Sequence, residues 1–410
     1  MMSKKSPQLR FEGFTDDWEQ RKLGSLTTVV RGASPRPIQD PKWFDKESDI
    51  GWLRIADVTE QNGRIYHLEQ HISKLGQEKT RILTEPHLLL SIAATVGKPV
   101  VNYVKTGVHD GFLIFLNPTF EREFMFQWLE MFRPKWQKYG QPGSQVNLNS
   151  ELVRNQEIVL PNYKEQQKIG SFFKHLDDTI ALHQRKLDLL KEQKKGYLQK
   201  MFPKNGAKVP ELGFAGFADD WEERKLSSGL REYTDRVIVE DDKEYYQISV
   251  RNNFGGITLR GSKMGNKIGR KRQAKINLTK YPQTLIFTRQ TVEQGGIGWV
   301  DKYCDGAIVT ENMPTISLDT SVFSKYFLTN LFQTRIFYKN AILDNIEGGS
   351  AQIAIHESKF LSSTLLFPNL DEQEKIGQFF KQLDDTIDLH QRKLDLLKEQ
   401  KKGFLQKMFV

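Results

Sequence analysis

The densest group of residues suited to binding a polyanion lies in the second half of the chain. Six cationic residues fall between positions 263 and 275: Lys263, Lys267, Arg270, Lys271, Arg272 and Lys275. Lysine and arginine neutralise phosphates, and arginine can also pair bidentately with the edge of a base. For any one of these residues a solvated surface charge is the simpler interpretation. Their density within one predicted loop nevertheless predicts that this cluster contacts nucleic acid.

Other basic and amide residues extend this set of candidates. In the second half they are Arg251 and Asn252, before the cluster, and Arg289 and Gln290, after it. In the first half the candidates are more dispersed: Arg31, Ser34, Arg36, Arg54, Lys79, Arg81 and Lys98. The formal net charge of +9 also favours a polyanionic partner, although charge alone is weak support.

Motifs for catalysis are absent from the sequence. It has no phosphate-binding GxxxxGK[ST] loop, no GxGxxG and no CxxC or HExxH, which predicts no catalytic residue, no metal site and no cofactor in this chain. Asn117-Pro118-Thr119-Phe120 approaches the Asn-Pro-Pro-Phe signature of adenine methyltransferases, but threonine replaces the second proline. We interpret it as a turn that ends a strand. A self-contained adenine DNA methyltransferase with a degenerate motif remains the alternative.

A tandem duplication positions these residues. Residues 11–23 return as 214–226, and a longer segment, 161–202, returns as 368–409. The period of about 205 residues is too long for a solenoid or propeller unit. Between the repeats the two halves share only traces, so the simplest interpretation is one scaffold that carries two different surfaces.

Each variable region is predicted to fold as an α/β (α+β) domain. Apolar runs predict strands at 284–288 and 308–310, and periodic segments predict helices near 122–132 and 324–339. The predicted organisation is a first recognition domain at 1–160, a helix at 161–202 and a linker at 203–210. A second recognition domain at 211–367 and a second helix at 368–410 complete the chain.

The longer repeated segment is predicted to form a coiled-coil helix. Apolar residues alternate by four and three from Ile169 to Met201, and again from Ile376 to Met408, which is a coiled-coil seam. The first helix should begin near Glu165 and end at Phe202, because Pro203 disfavours helix in the residue before it. Such a helix is about 55 Å long.

Polar residues interrupt this seam at four positions: His183, Lys194, His390 and Lys401. They either fix the register of the helices or extend their polar ends from the edge of the seam, and the sequence favours neither. The acidic pairs Asp177-Asp178 and Asp384-Asp385 are interpreted as solvated helix faces rather than metal ligands.

A second apolar stripe lies off the seam in both copies. Its members are Phe172, Leu182, Leu189, Leu198, Phe379, Leu389, Leu396 and Leu405. A two-helix coil would leave these residues in water, so they predict docking of a partner or of the recognition domains. Scattered surface leucines are the alternative.

The order domain, helix, domain, helix constrains the architecture. Because the linker is short, the second helix must return antiparallel to the first if the two pair. The domains are then expected at opposite ends of a rod with pseudo-two-fold symmetry, and the nearly circular chain should bring its ends together. No run of eighteen apolar residues and no secretory signal occur, and Cys304 is the single cysteine, so we expect a cytoplasmic protein.

The duplicated pattern resembles the specificity subunit of Type I restriction-modification enzymes. The resemblance rests on the repeat openings at Trp18 and Trp221, the segments around Gln145 and Gln352, and the paired helices that follow Pro161 and Pro368. It implies two target-recognition domains that each read one half of a bipartite double-stranded DNA site.

The same resemblance implies the partners and the compartment. The helices would act as a ruler and dock two methyltransferase subunits, and motor-nuclease subunits would complete a complex in the bacterial cytoplasm. S-adenosylmethionine, ATP and Mg²⁺ would bind to those partners. In relatives, one loop of the domain often carries an arginine near a glycine. The second domain has this arginine as Arg289, whereas the corresponding segment of the first domain, Ser91–Gly97, has none.

Overall fold

The computed structural model describes residues 6–139, 148–204, 206–269, 272–345 and 354–410. The chain forms two compact units, one built from residues 1–184 and 392–410 and the other from residues 185–391. Each unit therefore combines one variable region with parts of both repeated helices.

The described residues of the first unit form ten strands in three sheets. Its strands are β1 (Glu19–Lys22), β2 (Thr28–Arg31), β3 (Gly51–Trp52), β4 (Arg64–Ile65), β5 (Arg81–Leu83), β6 (Leu88–Ser91), β7 (Pro99–Asn102), β8 (Thr106–Val108), β9 (Phe112–Leu116) and β10 (Glu157–Leu160). The sheets have the orders β2-β9-β6-β7-β4, β3-β8-β5 and β1-β10. Five shorter helices are α1 (Leu23–Leu26), α2 (Ile55–Glu60), α3 (Lys74–Gln77), α4 (Arg122–Trp136) and α5 (Ser150–Asn155), and α6 (Tyr163–Lys200) begins here.

Strand β6 shows why this sheet forms the core of the first unit. Its residues Leu88 and Leu90 pack with Phe124 and Trp128 of α4 in one buried cluster. Leu89 faces the other way into a second cluster. Since successive strand residues point to opposite faces, a strand buried on both faces reads as an unbroken apolar run.

Eleven strands lie in the part of the second unit that the structure describes. They are β11 (Glu222–Lys225), β12 (Leu230–Tyr233), β13 (Asp235–Ile238), β14 (Glu244–Val250), β15 (Ile257–Met264), β16 (Arg272–Lys275), β17 (Thr284–Phe287), β18 (Ile297–Trp299), β19 (Ile308–Val309), β20 (Thr315–Leu318) and β21 (Thr364–Phe367). Its sheets have the orders β13-β16-β19-β14-β15, β12-β20-β17-β18 and β11-β21. The helices are α7 (Lys325–Leu331), α8 (Arg335–Phe337), α9 (Glu357–Ser362) and α10 (Leu370–Met408).

The predicted strands at 284–288 and 308–310 are present as β17 and β19, and the predicted helix at 122–132 is α4. The prediction of one helix over 324–339 was wrong, because the segment divides into α7, α8 and a π-helical turn at Tyr338–Ile342. The Thr334 hydroxyl accepts a hydrogen bond from Phe337 N at 3.2 Å, so Thr334 starts a new helix rather than continuing the old one.

The repeated segments close each variable region in the same way. β1 pairs antiparallel with β10, with Glu19 opposite Leu160, and β11 pairs antiparallel with β21, with Glu222 opposite Phe367. Trp18 and Trp221, which precede these ladders, are buried in the cores of their units. The duplicated residues thus form a common base that carries divergent sheets.

The long helices α6 and α10 start at equivalent asparagine caps. The Asn162 side chain accepts a hydrogen bond from Glu165 N at 3.0 Å, and the Asn369 side chain accepts one from Glu372 N at 2.9 Å. These caps let α6 begin two residues before the predicted Glu165. With 38 residues, α6 is about 57 Å long.

Within each unit the two long helices pack antiparallel. In the first unit the rings of Phe172 and Phe404 lie 5.1 Å apart and Asp177 lies 2.6 Å from Lys401. Residue numbers therefore rise along α6 as they fall along α10. The second unit repeats this order, with the Tyr197 and Phe379 rings 5.0 Å apart and Lys194 2.7 Å from Asp384. The predicted antiparallel pairing is confirmed in both units.

The two ends of the chain meet in the first unit, as the sequence predicted. Leu9 N donates a hydrogen bond to Lys407 O at 2.9 Å. In the second unit Leu212 N donates the equivalent bond to Lys200 O, also at 2.9 Å. The same backbone hydrogen bond of the repeat thus joins the chain ends in the first unit. In the second unit it joins residues on either side of the short linker.

Candidate nucleic-acid interface

Three of the predicted residues in the first unit donate hydrogen bonds to Asp110. Asp110 accepts hydrogen bonds from the Ser34 hydroxyl at 2.8 Å and from Arg36 Nη2 at 2.6 Å, and its backbone carbonyl accepts one from Arg31 Nε at 2.6 Å. We call Arg31, Ser34, Arg36 and Asp110 the Asp110 cluster. Arg81 extends it, because Arg81 Nε donates to Arg31 O at 2.7 Å.

The electrostatics of the Asp110 cluster favour the ionised form of the Asp110 carboxyl. Burial alone would raise the pKa of Asp110, but the Ser34 hydrogen bond and the charges of Arg36 and Arg31 lower it below its usual value. Asp110 is therefore ionised at neutral pH and holds these side chains in place. Arg31, Arg36 and Arg81 remain exposed, so their remaining donors are open to phosphates or base edges.

The other predicted residues of the first unit are placed differently. Arg54 lies 2.6 Å from Asp57 and 3.1 Å from Glu69, and its hydrogen bond to Asp57 raises the pKa of the guanidinium. Lys98 is buried, with its ammonium bonded to Glu130 and to Asn62. Lys79 is exposed. The structure thus brings Arg31, Ser34, Arg36 and Arg81 together but keeps Lys98 inside the fold.

In the second unit two predicted segments meet. The turn of residues 251–256, which joins β14 to β15, packs against the loop of residues 289–296. Asn252 Nδ2 donates to Gln294 Oε1 at 2.7 Å, and Asn253 N donates to Gln294 O at 2.7 Å. Arg251 and Asn252 therefore share one surface with the loop that carries Gln290, and all three are exposed.

Arg289 lies in the same loop but its guanidinium turns inward. Arg289 Nε donates to Glu357 Oε2 at 2.9 Å. Burial and the negative charge of Glu357 raise the pKa of nearby Glu232, against the opposing charge of Arg289. Arg289 and Glu232 line a cavity of about 640 Å³. Arg289 therefore forms an ion pair with Glu357 instead of presenting its guanidinium as a hydrogen-bond donor at the surface.

The 263–275 cluster is not one loop, as the sequence had suggested. Lys263 lies on β15, Lys267 ends a short 3₁₀ turn and Lys275 ends β16, 4.0 Å from Asp235. Strand pairing positions Lys263 and Lys275, whereas Lys267 lies in the turn that follows β15. Arg270 and Lys271, the side chain of Arg272, and the segments around Gln145 and Gln352 lie outside the described residues.

Two of the polar seam residues form ion pairs across the helices. Lys401 bonds Asp177 and Lys194 bonds Asp384, while His183 and His390 are partly buried beside the seam. These pairs show that Lys194 and Lys401 face the partner helix. A role of these residues in fixing the register stays a prediction.

The interpretation of the acidic pairs as solvated faces was wrong for Asp177. Asp177 is only 12% exposed and also lies 3.1 Å from Arg64, whose other nitrogen is 2.7 Å from Glu123. Burial alone would raise the pKa of Asp177, but Lys401 lowers it, with help from Gln127 and Arg64. Asp178 and Asp385 are exposed, as predicted, and pair with lysines one turn away.

The eight residues of the second apolar stripe fall into two groups. Four are 52–66% exposed: Leu182, Leu189, Leu389 and Leu396. The other four pack partly against the cores of their own units: Phe172, Leu198, Phe379 and Leu405. The cores of the two units therefore cover part of the second group, whereas the first group is exposed, and docking of a partner on it stays a prediction.

Asn117 directly follows β9 with a φ of 49°, which confirms the strand-ending turn. No group of three or more His, Cys, Asp or Glu residues in the described ranges could hold a metal ion. Within those ranges no helix has the length and apolar character needed to cross a membrane.

Sequence reasoning missed the acidic partners Asp110 and Glu357 and the residue Phe254. The acidic residues lie 74–79 and 68 positions from the arginines they bind, so no local pattern links them. For Phe254 the signal was present, since Asn253 and Phe254 precede two glycines in a turn. Nothing in the residue pattern distinguishes the phenylalanine from the glycines as the functional residue of this turn.

Comparisons with known proteins agree with these features. A family model described as "Type I restriction modification DNA specificity domain" matches residues 15–192 and 219–399. The Type I restriction enzyme MjaVIII specificity subunit of Methanocaldococcus jannaschii is 21% identical over 95% of this chain and 91% of its own length. The putative MjaX specificity subunit of the same organism is 20% identical over 95% and 92%.

Solved structures share the fold at low identity. The S subunit of a Type I restriction-modification system from M. genitalium superposes with a TM-score of 0.61 at 11% identity, covering 99% of both chains. A chain solved in work on complex assembly and conformational transition of the type I R-M system gives a TM-score of 0.51 at 14% identity, covering 96% and 97%. Both variable regions and both long helices thus belong to one known architecture.

Proposed function

Because the chain belongs to the family of Type I restriction-modification DNA specificity proteins, we propose that each domain reads one half of a bipartite, asymmetric DNA site. The chain is the DNA-recognition component of such a system rather than the enzyme that cleaves or methylates. The observation that carries the proposal is a duplicated base that supports two unlike basic surfaces.

The two surfaces differ in their chemistry. In the first unit, Arg31 and Arg36 are both held by hydrogen bonds to the partly exposed residue Asp110. In the second, amide and arginine side chains lie on the 251–256 turn and the loop that clamps it. Since base readout depends on where donors and acceptors are held, unlike surfaces on a common base support unlike half-sites.

The helices supply the proposed spacing and docking functions. α6 and α10 run for 38 and 39 residues, which suits a spacer between the half-sites. The exposed leucines Leu182, Leu189, Leu389 and Leu396 are suited to contact two methyltransferase subunits. The proposed domain limits are residues 1–160 and 211–367, with the helices at 161–202 and 368–410 and the linker at 203–210.

The remaining partners follow from the same proposal. Motor-nuclease subunits would join the methyltransferase subunits to form the restriction complex. S-adenosylmethionine, ATP and Mg²⁺ would bind to these partners, which would act on double-stranded DNA in the bacterial cytoplasm. Buried Cys304, with a pKa raised by burial, is consistent with a reduced thiol in that compartment.

An exchange of one variable region tests this proposal. Methylated sites would be mapped in a host that carries this chain and its partner subunits, and mapped again after residues 227–367 are replaced by those of a relative. We expect one half of the site to change while the other half and the spacer stay the same. A change in both halves, or in neither, would contradict separate reading by the two domains.

A further inference from the structure

The turn that joins β14 to β15 has an unusual sequence for its conformation. Gly255 N donates to Asn252 O at 3.1 Å, and the two central residues, Asn253 and Phe254, have φ angles of 54° and 57°. Two left-handed central residues define a type I′ turn, in which glycine is preferred at the second position. Here that position is a phenylalanine, although Gly255 follows directly.

Neighbouring hydrogen bonds hold this turn in place. Phe254 N donates to Gly295 O at 2.9 Å and Asn253 N donates to Gln294 O at 2.7 Å, while Arg251 N closes the hairpin on Gly256 O at 2.9 Å. The Phe254 ring lies against Gly295, where a Cβ would come within 3.1 Å of ring atom Cε2. Gly295 has a φ of 75°, so glycine is required there for both reasons.

Burial does not explain this arrangement. The Phe254 side chain is 41% exposed, and among the described residues it joins none of the buried apolar clusters of the second unit. A large apolar ring is therefore held at the surface in a backbone conformation that L side chains rarely adopt. Such conformations persist where the surrounding structure enforces them, and they concentrate at binding sites.

The surroundings of the ring suit DNA. Arg251 and Asn252 precede it in the same turn, exposed Gln290 lies in the clamping loop, and exposed Tyr303 donates its hydroxyl hydrogen to Ile257 O at 3.0 Å. These groups can contact phosphates and base edges on either side of an apolar tip. Phenylalanine is among the apolar side chains that proteins insert between base steps.

We propose that Phe254 inserts as a wedge into the base stack of the half-site that the second domain reads. This inference rests on the proposed DNA-recognition function and adds the residue that deforms the DNA. The hydrogen bonds between the turn and the 289–296 loop would hold the ring in position while it enters the base stack. The wedge would make recognition depend on how easily one base step unstacks, in addition to hydrogen bonds with the bases.

The substitution Phe254→Gly separates the two roles of this residue. It restores the preferred Asn-Gly turn, so the thermal unfolding temperature of the full chain should stay the same or rise. In the assembled complex with its methyltransferase subunits, affinity for the cognate duplex should fall about tenfold, as loss of one stacked aromatic predicts. Affinity for a non-cognate duplex should not change. Phe254→Trp should retain cognate binding.

Tyr246→Ala is the matched control, because Tyr246 is also an exposed aromatic residue and lies on β14 of the same hairpin. It should leave the affinity unchanged. A second readout uses 2-aminopurine in place of adenines in this half-site. Its fluorescence should rise at one step when the wild-type complex binds, because the base unstacks, and should not rise with Phe254→Gly.

Failure of the wedge is distinguishable from failure of the proposed function. If the wild-type complex binds cognate and non-cognate duplexes equally, DNA recognition itself is refuted. If wild type discriminates and Phe254→Gly binds the cognate duplex equally well, the wedge is refuted. The wedge is also refuted if both proteins give the same 2-aminopurine signal, or if the variant instead loses a methyltransferase subunit.

Discussion

One buried carboxylate differs between the two copies of the repeat. In the first unit Glu165 is fully buried and bonds Arg10 through two nitrogens, both at 2.7 Å. Its counterpart Glu372 is also buried, but the residue equivalent to Arg10 is Gly213. Among the described residues no cation lies within ion-pair distance of Glu372, and burial, together with the charge of Asp219, raises its pKa.

The substitution Gly213→Arg should therefore stabilise the second unit. A Cβ at residue 213 meets no atom closer than 4.0 Å, so the new side chain has room to reach Glu372. We expect the free energy of unfolding to rise by about 1 kcal/mol at neutral pH. Because Glu372 must be ionised to attract the guanidinium, this gain should disappear as the pH falls through the carboxyl pKa.

The converse substitution, Arg10→Ala, provides the matched comparison. It leaves a buried carboxylate without its cation and should cost about 3 kcal/mol at neutral pH. Urea unfolding of the full chain at neutral and acidic pH measures both effects. An unchanged stability of Arg10→Ala at neutral pH would show that the ion pair contributes nothing.

The chemical types of the surface residues could be predicted from the sequence, but their partners could not. Arg31, Ser34 and Arg36 were identified as binding candidates from their side-chain chemistry alone. Sheet pairing of β2 with β9 brings them to Asp110. Lys98 shows the limit of this reasoning, since a lysine inside the fold looks in sequence like one on its surface. Only tertiary structure distinguishes the two.

At the scale of the helices, two equivalent ion pairs differ in burial. Lys401 bonds Asp177, which is 12% exposed and also bonds Arg64 and Gln127. Lys194 bonds Asp384, which is 39% exposed. The first pair lies in a network from which water is largely excluded, whereas the second is partly solvated.

Lys401→Ala should therefore destabilise the chain more than Lys194→Ala. We expect a loss of about 2 kcal/mol for the first, because a buried charge loses a partner, and less than about 1 kcal/mol for the second. The folded-state pKa of Asp177 is lowered, so its contribution is present at neutral pH and is lost as the pH falls below about 4. The difference between the variants should shrink over the same range. Equal losses at neutral pH would contradict the role of burial.

The long helices were the most predictable elements, because a heptad pattern specifies both type and length. The observed ends differ from the predicted ones by two residues, since Asn162 caps α6 and the helix stops at Lys200. The shorter elements of the variable regions were less predictable. Thr334 divides one predicted helix, and strand pairing holds Lys263 and Lys275, which were assigned to a loop.

At the scale of the whole molecule the repeat explains how the chain closes. The bond from Leu9 to Lys407 in the first unit repeats the bond from Leu212 to Lys200 in the second. The same is true of the aromatic core, where Phe409 contacts Phe124 and Phe202 contacts Phe327. The second domain is thus packed on the end of α6, which precedes it in the sequence. The first domain is packed on the end of α10, at the place where the two chain ends meet. The duplication predicted this closure, and the divergent surfaces could not be predicted from it.

We propose that two unlike domains read separate half-sites at a distance set by α6 and α10. Inserting one heptad into each helix and mapping the methylated site of the complex tests this spacing. Each helix would lengthen by about 10.5 Å, which corresponds to about three base pairs of DNA. We expect unchanged half-sites separated by a spacer about three base pairs longer. Modification at the original spacing would show that the helices do not set the distance.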